Sequence, residues 1–277
     1  MRKRFLRNEI LERLNKTTQE GKPIIGAGAS AGIIAKCAEK GGADLIIVYS
    51  TGKSRLMGLP TTRLGDSNTI TLGMADEMLN VVKNTPVIGG IEATDPTNMD
   101  LDLLVDKFMQ VGYSGLINFP TVGIYTSYRK KREAVGLGFA REVEMVKIAR
   151  NKEIFTMAYV FNPEDTKEMV EAGIDCICPH VGPTKGGLVG YDKIVYTLDD
   201  AVKDIQKMVS VAKAINQDVI VLSHGGPIET PEETKYIYEK LDDVVGYVGA
   251  SSIERIPVEK AIIDIVSKFK NVPVKEI

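Results

Sequence analysis

The sequence predicts an α/β protein, a single (β/α)8 TIM barrel with an extra helix at its amino-terminal end. Three observations predict this fold. One strand–loop–helix unit repeats along the chain, eight such units occur, and 277 residues suit a barrel of roughly 250 residues. No linker or shift in composition divides the chain. We therefore expect one domain over residues 1–277, with a helical extension at 1–22 and the barrel at 23–277.

Eight apolar runs rich in Val and Ile predict the strands. The runs are continuous rather than alternating, which is typical of parallel strands covered on both faces. In chain order they are PIIGAG (23–28), DLIIVYS (44–50), PVIGGIE (86–92), SGLINF (114–119), EIFTMAYV (153–160), IDCICPH (174–180), DVIVLSH (218–224) and VVGYVGA (244–250).

The segments between these runs have helical spacing and helical end signals. Residues 4–20 carry apolar side chains on one side and predict a helix before the first strand. Residues 101–111 and 198–212 repeat apolar side chains every three or four positions, as one face of a helix does. The dipeptides Asn162-Pro163 and Thr230-Pro231 each combine an N-cap residue with proline at the first helical position.

Three connections between predicted elements are long, namely residues 51–73, 119–140 and 181–197. Long structureless connections in a compact domain are often lids or binding loops. The middle one contains the basic run YRKKRE, which also fits a solvated helix start.

Composition excludes several classes of protein. A net charge of −2 argues against a broad nucleic-acid-binding surface. No apolar run approaches the length of about 18 residues that a membrane helix needs. The three cysteines lack zinc-site spacing, so we expect reduced thiols in a cytoplasmic protein, with Cys176 and Cys178 buried in strand 6. Neither nucleic acid nor membrane is an expected partner.

Polar residues gather where the predicted strands end. The loops at the carboxyl ends of barrel strands converge on one mouth, where the function of such barrels lies. Both histidines of the protein occupy such ends, His180 after strand 6 and His224 after strand 7. A packed ring hydrogen-bonded to the backbone is the alternative for each. The other candidates at strand ends include Gly28, Ser30, Ser50, Glu92, Asp95 and Asn118.

The segments after strands 7 and 8 predict an anion site. Gly225 and Gly226 follow His224 and permit either a close approach to a ligand or a positive φ. After strand 8, backbone N–H groups at a helix start favour an anion, and loops 7 and 8 of such barrels frequently hold phosphate. Turn glycines and an N-cap serine are the alternative. The residues concerned are Gly249, Ala250, Ser251 and Ser252.

Glu92 and Asp95 place two carboxylates in one loop. They suit Mg²⁺ binding through waters, or acid and base catalysis, whereas Asp95 also suits a helix cap ahead of Pro96. Mg²⁺ is therefore compatible with the sequence but not required by it. Lys185, in the loop after strand 6, is a candidate ligand contact. No lysine ends a strand, which argues against a Schiff-base aldolase.

Several motifs together resemble a known family. They are PIIGAGAS, EATDP, NFPTVGIY, REVEMVKIA, SHGGPIETPEE and GYVGASSIERIPVE, and HGGP and GASSxER are the most specific. Over about Pro23 to Ile263 the chain resembles the phosphoenolpyruvate hydrolase-like family, also described as a TIM-barrel signal-transduction family. It is also similar to the carboxyl-terminal barrel of plant tobamovirus-resistance proteins. More distantly it resembles the phosphoenolpyruvate mutase and isocitrate lyase group.

The resemblance implies a hydrolase or lyase that acts on a small phosphorylated or phosphonate 2-oxo or enol acid. In that reading His224 is the general acid or base, His180 or Glu92 positions water, and Asn118 binds a substrate oxygen. The mutase and lyase group uses Mg²⁺ held by aspartates after strands 2 and 3, whereas this chain has Ser50 and then Glu92.

A second function is compatible with the same residues. The barrel would then be a non-catalytic sensor that binds a small anionic metabolite and signals to a partner protein. Under either function we expect a homo-oligomer or a pairing with a separately encoded partner domain.

Overall fold

The computed structural model describes residues 4–190 and 196–275. Its eight strands form one closed barrel in which each strand pairs in parallel with the next, and the eighth pairs with the first. Each of the eight predicted runs contains a strand, so the predicted fold is confirmed. The strands are β1 Ile24–Gly28, β2 Leu45–Val48, β3 Val87–Gly90, β4 Gly115–Ile117, β5 Phe155–Val160, β6 Cys176–Pro179, β7 Ile220–His224 and β8 Gly246–Gly249.

One helix precedes the first strand, and the other helices of the described residues follow strands. They are α1 Arg7–Gln19, α2 Gly32–Lys40, α3 Thr51–Leu56, α4 Ser67–Val81, α5 Leu101–Gln110, α6 Thr126–Ala134, α7 Phe139–Asn151, α8 Pro163–Glu171, α9 Leu198–Ile215, α10 Pro231–Lys240 and α11 Ile256–Lys270. A 3₁₀ turn at Val122–Ile124 and a π-helical turn at Ser251–Arg255 complete the set. In the described part of the chain, no helix has the length and apolar character needed to cross a membrane.

The extra amino-terminal helix was predicted over residues 4–20, and α1 lies there. Phe5, Ile10 and Leu14 are buried and belong to the same apolar cluster as the inward-facing side chains of the strands. This segment therefore covers one end of the barrel and leaves the mouth formed by the carboxyl ends of the strands on the other side.

The predicted helix starts agree with the structure. The side chain of Asn162 accepts the backbone N–H of Asp165, with Pro163 at the first turn of α8. At α10, Thr230 and Glu233 form a reciprocal capping box. Both caps fix the residue at which the chain leaves the mouth of the barrel and starts an outer helix.

Two apolar layers hold the barrel together. One layer fills the interior, and it includes Cys176 and Cys178, which are fully buried as predicted. The other lies between the strands and the outer helices. Residues alternate between the layers along a strand, so Ile24 faces inward whereas Ile25 packs on the outer layer.

The long connections carry more structure than the sequence indicated. Residues 51–73 contain α3 and the start of α4 rather than a structureless lid. The basic run lies in α6, most of whose side chains are exposed, which matches the alternative of a solvated helix. Of the connection at 181–197, residues 191–195 lie outside the described residues.

Candidate functional site

A small cavity opens at the mouth of the barrel and has a volume of about 70 Å³. Side chains from the loops after β2, β4, β6 and β8 line it, together with the end of β7. Its lining combines two histidines, two arginines, aromatic rings and a serine, and includes Tyr49, Arg55, Phe119, His180, His224, Ala250, Ser251 and Arg255. A cavity with this mixture of polar and aromatic groups suits a small polar ligand.

The structure brings the two predicted histidines together. The ring centroids of His180 and His224 lie 4.8 Å apart, and the two residues also form an isolated backbone bridge. Tyr159, from β5, packs against both rings, with centroid distances of 5.3 and 4.6 Å. The two histidine rings therefore pack against each other and against the ring of Tyr159.

Backbone contacts fix a different tautomer in each histidine. Nδ1 of His224 lies 2.7 Å from the carbonyl oxygen of Val248. Because a carbonyl only accepts, this Nδ1 carries the proton and Nε2 is left as an acceptor. Nδ1 of His180 instead accepts the N–H of Gly182 at 3.1 Å, so its proton resides on Nε2. The pair thus offers one hydrogen-bond donor and one acceptor.

Burial keeps both rings neutral. It lowers the pKa of His224 to about 4. It also lowers the pKa of His180 well below its ordinary value, and the neighbouring His224 adds to that effect. Near pH 7 the pair therefore presents a neutral donor and a neutral acceptor rather than a positive charge.

Positive charge at the cavity comes from arginines that the sequence analysis missed. Arg55, from α3, is buried and donates from Nε at 2.7 Å and from Nη2 to one oxygen of Glu254. Ser30 donates to the same oxygen at 3.0 Å. The other carboxylate oxygen of Glu254 is buried and has no hydrogen-bond partner among the described residues.

Arg255 is the second arginine at the cavity. Its Nη1 pairs with Glu259 at 3.1 Å, and its Nη2 donates to the carbonyl of Gly186 at 2.9 Å. The side chain is 4% exposed, so its charge acts in a poorly hydrated environment. Arg255 thereby ties the loop after β6 to the start of α11.

The sequence contained a signal for these residues. Glu254 and Arg255 are the charged letters of the GASSxER motif, which directly follows the predicted anion loop. Arg55 offered no comparable signal, because it lies in residues 51–73, where no helix was predicted. Its partner is 199 positions away in the chain.

The loop after β8 divides between two environments. Ala250 and Ser251 line the cavity, as predicted. Ser252 does not, because its hydroxyl is hydrogen-bonded to the hydroxyl of Tyr247 at 2.8 Å and lies on the outer side of the barrel. Gly249 also lies outside the cavity lining and packs closely against the side chain of Ile253. A helical turn does begin at Ser251, which matches the predicted helix start.

The glycines after His224 are required by the protein rather than by a ligand. Gly225 and Gly226 have φ values of +81° and +58°. A Cβ atom would lie 2.2 Å from the carbonyl oxygen of Gly182 at the first position, and 2.5 Å from that of Val181 at the second. The predicted close approach therefore occurs between the loops after β6 and β7. Gly28 similarly admits the backbone of the loop after β8.

The carboxylates of Glu92 and Asp95 lie away from this cavity and are occupied. Glu92 forms an ion pair with Arg63, whose Nε lies 2.9 and 3.0 Å from the two oxygens. Asp95 accepts four hydrogen bonds, from Asn68, from the N–H and hydroxyl of Thr97, and from Asn98. Burial raises the pKa of Asp95, but these hydrogen bonds together lower it below the ordinary value. The structure therefore does not place either residue as a catalytic partner of the histidines.

The same contacts bear on Mg²⁺. Across the described ranges, no group of three or more His, Cys, Asp or Glu side chains is arranged to hold a metal ion. Glu92 is neutralised by Arg63, and the hydrogen-bond acceptors of Asp95 are already used. The predicted candidates do not fit a Mg²⁺ site in this arrangement.

Asn118 forms hydrogen bonds to neighbouring strands and to a buried carboxylate. Its oxygen accepts the N–H of Tyr159 at 2.8 Å, and its amide donates to Glu142 at 2.6 Å and to the carbonyl of Tyr159 at 3.2 Å. The side chain is fully buried and its amide makes these internal contacts, whereas its contact with a substrate oxygen stays a prediction. Burial raises the pKa of Glu142 to about 8, despite hydrogen bonds from Thr121, Val122 and Asn118.

Three further predicted contacts fall outside the cavity lining. The hydroxyl of Ser30 donates a hydrogen bond to the carboxylate of Glu254. Ser50 is buried, and its hydroxyl has no partner within residues 4–190 and 196–275. Lys185 is half-buried, and its backbone N–H donates to Gly226 at 3.5 Å. The histidine pair and the loop after β8 are therefore the predicted features that converge.

Fold and site together define a TIM-barrel protein with a small polar site at the carboxyl ends of its strands. The phosphoenolpyruvate hydrolase-like family matches residues 9–272, and the chain belongs to this family. It is 41% identical over 271 residues to the ToMV resistance protein Tm-1(GCR237) of Solanum lycopersicum. The match covers 96% of this chain but only 36% of the tomato protein.

Solved structures share the fold at low identity. One is phosphonopyruvate hydrolase in complex with oxalate and Mg²⁺, with a TM-score of 0.62, 16% identity, and coverage of 94% of this chain and 87% of that one. Another is 2,3-dimethylmalate lyase, a member of the phosphoenolpyruvate mutase/isocitrate lyase superfamily. It has a TM-score of 0.60, 14% identity, and coverage of 98% and 89% of the two chains.

Proposed function

We propose that the protein is an enzyme that hydrolyses a small phosphorylated or phosphonate 2-oxo or enol acid bound in the mouth cavity. The observation that carries the proposal is the opposed tautomers of His180 and His224 beside two buried arginines. Family membership supports the substrate class, as does the phosphonopyruvate hydrolase that shares the fold and holds oxalate.

The arginines and the loop after β8 would bind the anionic end of the substrate. Arg55 and Arg255 line the cavity and are poorly hydrated, so hydrogen bonds from them to an anion are charge-assisted. Ser251 adds a hydroxyl and stands at the start of a helical turn, where backbone N–H groups also favour negative charge.

The histidines would act on the reacting atoms. With phosphoenolpyruvate, a water oxygen attacks phosphorus while Nε2 of His224 accepts the proton of that water. The bond between phosphorus and the enol oxygen breaks, and Nε2–H of His180 hydrogen-bonds to the oxygen that gains the electron pair. The proton taken up by His224 is then delivered, directly or through a water molecule, to the methylene carbon of the enolate, which gives pyruvate, restores neutral His224 and leaves phosphate as the second product. Because the pKa of His224 is about 4, this histidine is a weak base that is always available at neutral pH.

A non-catalytic sensor is the second candidate, and one observation favours it. Each cavity arginine is already paired with a carboxylate, Arg55 with Glu254 and Arg255 with Glu259. Such paired charges suit recognition of an anion through exchange of partners, without any chemical step. A partner protein would then recognise the ligand-bound form of the barrel.

Phosphorus NMR and calorimetry test both candidates on the full chain. Phosphoenolpyruvate and phosphonopyruvate are added with and without Mg²⁺, and both binding heat and phosphate release are followed. Phosphate release that disappears in His224→Gln supports the enzyme. Binding without turnover supports the sensor. Absence of both binding and turnover, with either compound, overturns both candidates.

A further inference from the structure

The HGGP motif packs its backbone against the two residues that follow His180. The N–H of Val181 donates to the carbonyl oxygen of His224 at 3.2 Å. The N–H of Gly226 donates to the carbonyl oxygen of Gly182 at 2.7 Å. These two bonds extend the contact between β6 and β7 beyond the isolated bridge that the two histidines form. The loops after β6 and β7 are therefore held together directly beside both imidazoles.

One peptide unit, between Val181 and Gly182, connects these loops to the ring of His180. Its N–H is the group that donates to Nδ1 of His180 at 3.1 Å. A peptide unit is planar and rigid, so its carbonyl oxygen cannot be displaced sideways without turning its N–H. Any such shift therefore changes the hydrogen bond that leaves the proton of His180 on Nε2.

The two glycines of the motif lie against this part of the backbone. A Cβ atom on Gly226 would lie 2.5 Å from the carbonyl oxygen of Val181, which belongs to the same peptide unit as the donor to His180. A Cβ atom on Gly225 would lie 2.2 Å from the carbonyl oxygen of Gly182, one unit further along the chain. Both distances are far shorter than a van der Waals contact. A side chain at either position therefore displaces the hydrogen-bond donor of His180.

We propose that Gly225 and Gly226 are positioning residues that keep His180 in the tautomer with its proton on Nε2. They act through the peptide unit of Val181 and Gly182, and neither glycine belongs to the cavity lining. The consequence for catalysis rests on the proposed function, in which this Nε2–H stabilises the oxygen that gains the electron pair. The opposite tautomer would direct a lone pair at that oxygen and repel it.

Nitrogen NMR of the imidazoles tests the inference without any measurement of activity. The chain has two histidines, so a long-range proton–nitrogen spectrum contains two rings, and protonated and unprotonated ring nitrogens give well-separated signals. The variants His180→Gln and His224→Gln assign the two rings. At neutral pH the wild type should show His180 protonated on Nε2 and His224 protonated on Nδ1. A wild type in which Nδ1 of His180 carries the proton overturns the inference.

Gly225→Ala and Gly226→Ala should each shift the nitrogen signals of His180 towards the opposite tautomer. The signals of His224 should not change, because its Nδ1 bonds to a carbonyl of β8. The matched control is Gly21→Ala, since Gly21 has a comparable φ of +71° but a Cβ there would meet no atom within 4 Å. This control should keep the wild-type spectrum. Circular dichroism verifies that each variant is folded. Unchanged signals of His180 in the folded glycine variants overturn the inference, and so do equal changes in both rings.

Turnover of phosphoenolpyruvate gives the second measurement. In Gly226→Ala we expect kcat to fall at least roughly tenfold, because a donor to the developing charge is lost. The Kd for inorganic phosphate should stay within about twofold of the wild type, because the arginines and Ser251 are unchanged. In the His180→Gln background, Gly226→Ala should cause no further loss of kcat, and a further loss would overturn the action through His180. A wild type without turnover contradicts the proposed reaction, whereas the imidazole spectra still decide the role of the glycines.

Discussion

The imidazoles of His180 and His224 lie 4.8 Å apart and carry their protons on different nitrogens. The backbone imposes this difference, through the carbonyl of Val248 on one side and the N–H of Gly182 on the other. A donor and an acceptor therefore face the same small cavity without any net charge. This arrangement makes the pair sensitive to pH in a defined direction.

Acid should destabilise the wild type partly through His224. Its folded-state pKa is about 4 against an ordinary 6.5, so the unfolded chain takes up the proton first as pH falls. This contribution to stability is complete above pH 6.5, is lost between pH 6.5 and 4, and amounts to about 3 kcal/mol. Urea unfolding at several pH values should show that the free energy of unfolding falls less between pH 6.5 and 4 in His224→Gln than in the wild type. Equal losses in the two proteins would contradict the neutral buried ring.

Anion binding should depend on Ser251 and not on Ser252. Ser251 lines the cavity, whereas the hydroxyl of Ser252 is bonded to Tyr247 outside it. We expect Ser251→Asp to weaken phosphate or phosphoenolpyruvate binding at least tenfold, because a carboxylate there repels the ligand. Ser252→Asp is the matched control and should bind within about twofold of the wild type. Calorimetry measures both, and similar losses in the two variants would place the anion elsewhere.

Removing only one partner of the buried ion pair between Arg55 and Glu254 should strongly lower the free energy of unfolding. Removing one partner of a buried ion pair leaves an uncompensated charge, which typically costs about 3–5 kcal/mol. Glu254→Leu should therefore lower the free energy of unfolding by roughly this amount. Arg55→Met combined with Glu254→Leu should recover most of the loss. A double-mutant cycle by urea unfolding tests this coupling, and additive single effects would refute it.

Glu142 should make the protein less stable as pH rises from about 4.5 to about 8. Its folded-state pKa of about 8 lies above the ordinary 4.5, so its contribution is complete below pH 4.5 and is lost as pH rises to 8. Glu142→Gln keeps a group that can bond Thr121 and Asn118, but it removes the titration. We expect the stability of this variant relative to the wild type to increase from pH 5 to pH 8. A constant difference over that range would show that Glu142 is ionised when folded.

The fold was predictable because its signal is repeated. Eight continuous apolar runs of strand length, each followed by a helical segment, leave few arrangements other than a closed parallel barrel. The histidines were predictable for the same reason, since residues at the carboxyl ends of parallel strands meet at one edge. Neither inference required knowledge of contacts between distant side chains.

The rest of the site depends on such contacts. Asn118 ends a strand, but the buried carboxylate of Glu142 and the backbone of Tyr159 use its amide. Glu92 is likewise neutralised by Arg63 from a different loop. Arg55 reaches the cavity only because a short helix forms inside a connection that carried no clear helical pattern. A polar side chain at a strand end is a candidate ligand contact, but the surrounding side chains determine whether its hydrogen-bonding groups are available to a ligand.

The distribution of thiols gives the protein a natural labelling site. Cys176 and Cys178 are sealed inside the barrel, and burial raises the pKa of Cys176, which suppresses the reactive thiolate. Cys37, on α2, is exposed to solvent. A maleimide dye should therefore attach once per folded chain without any engineered substitution. Fluorescence from that one position can report on assembly or on ligand-induced motion in otherwise wild-type protein.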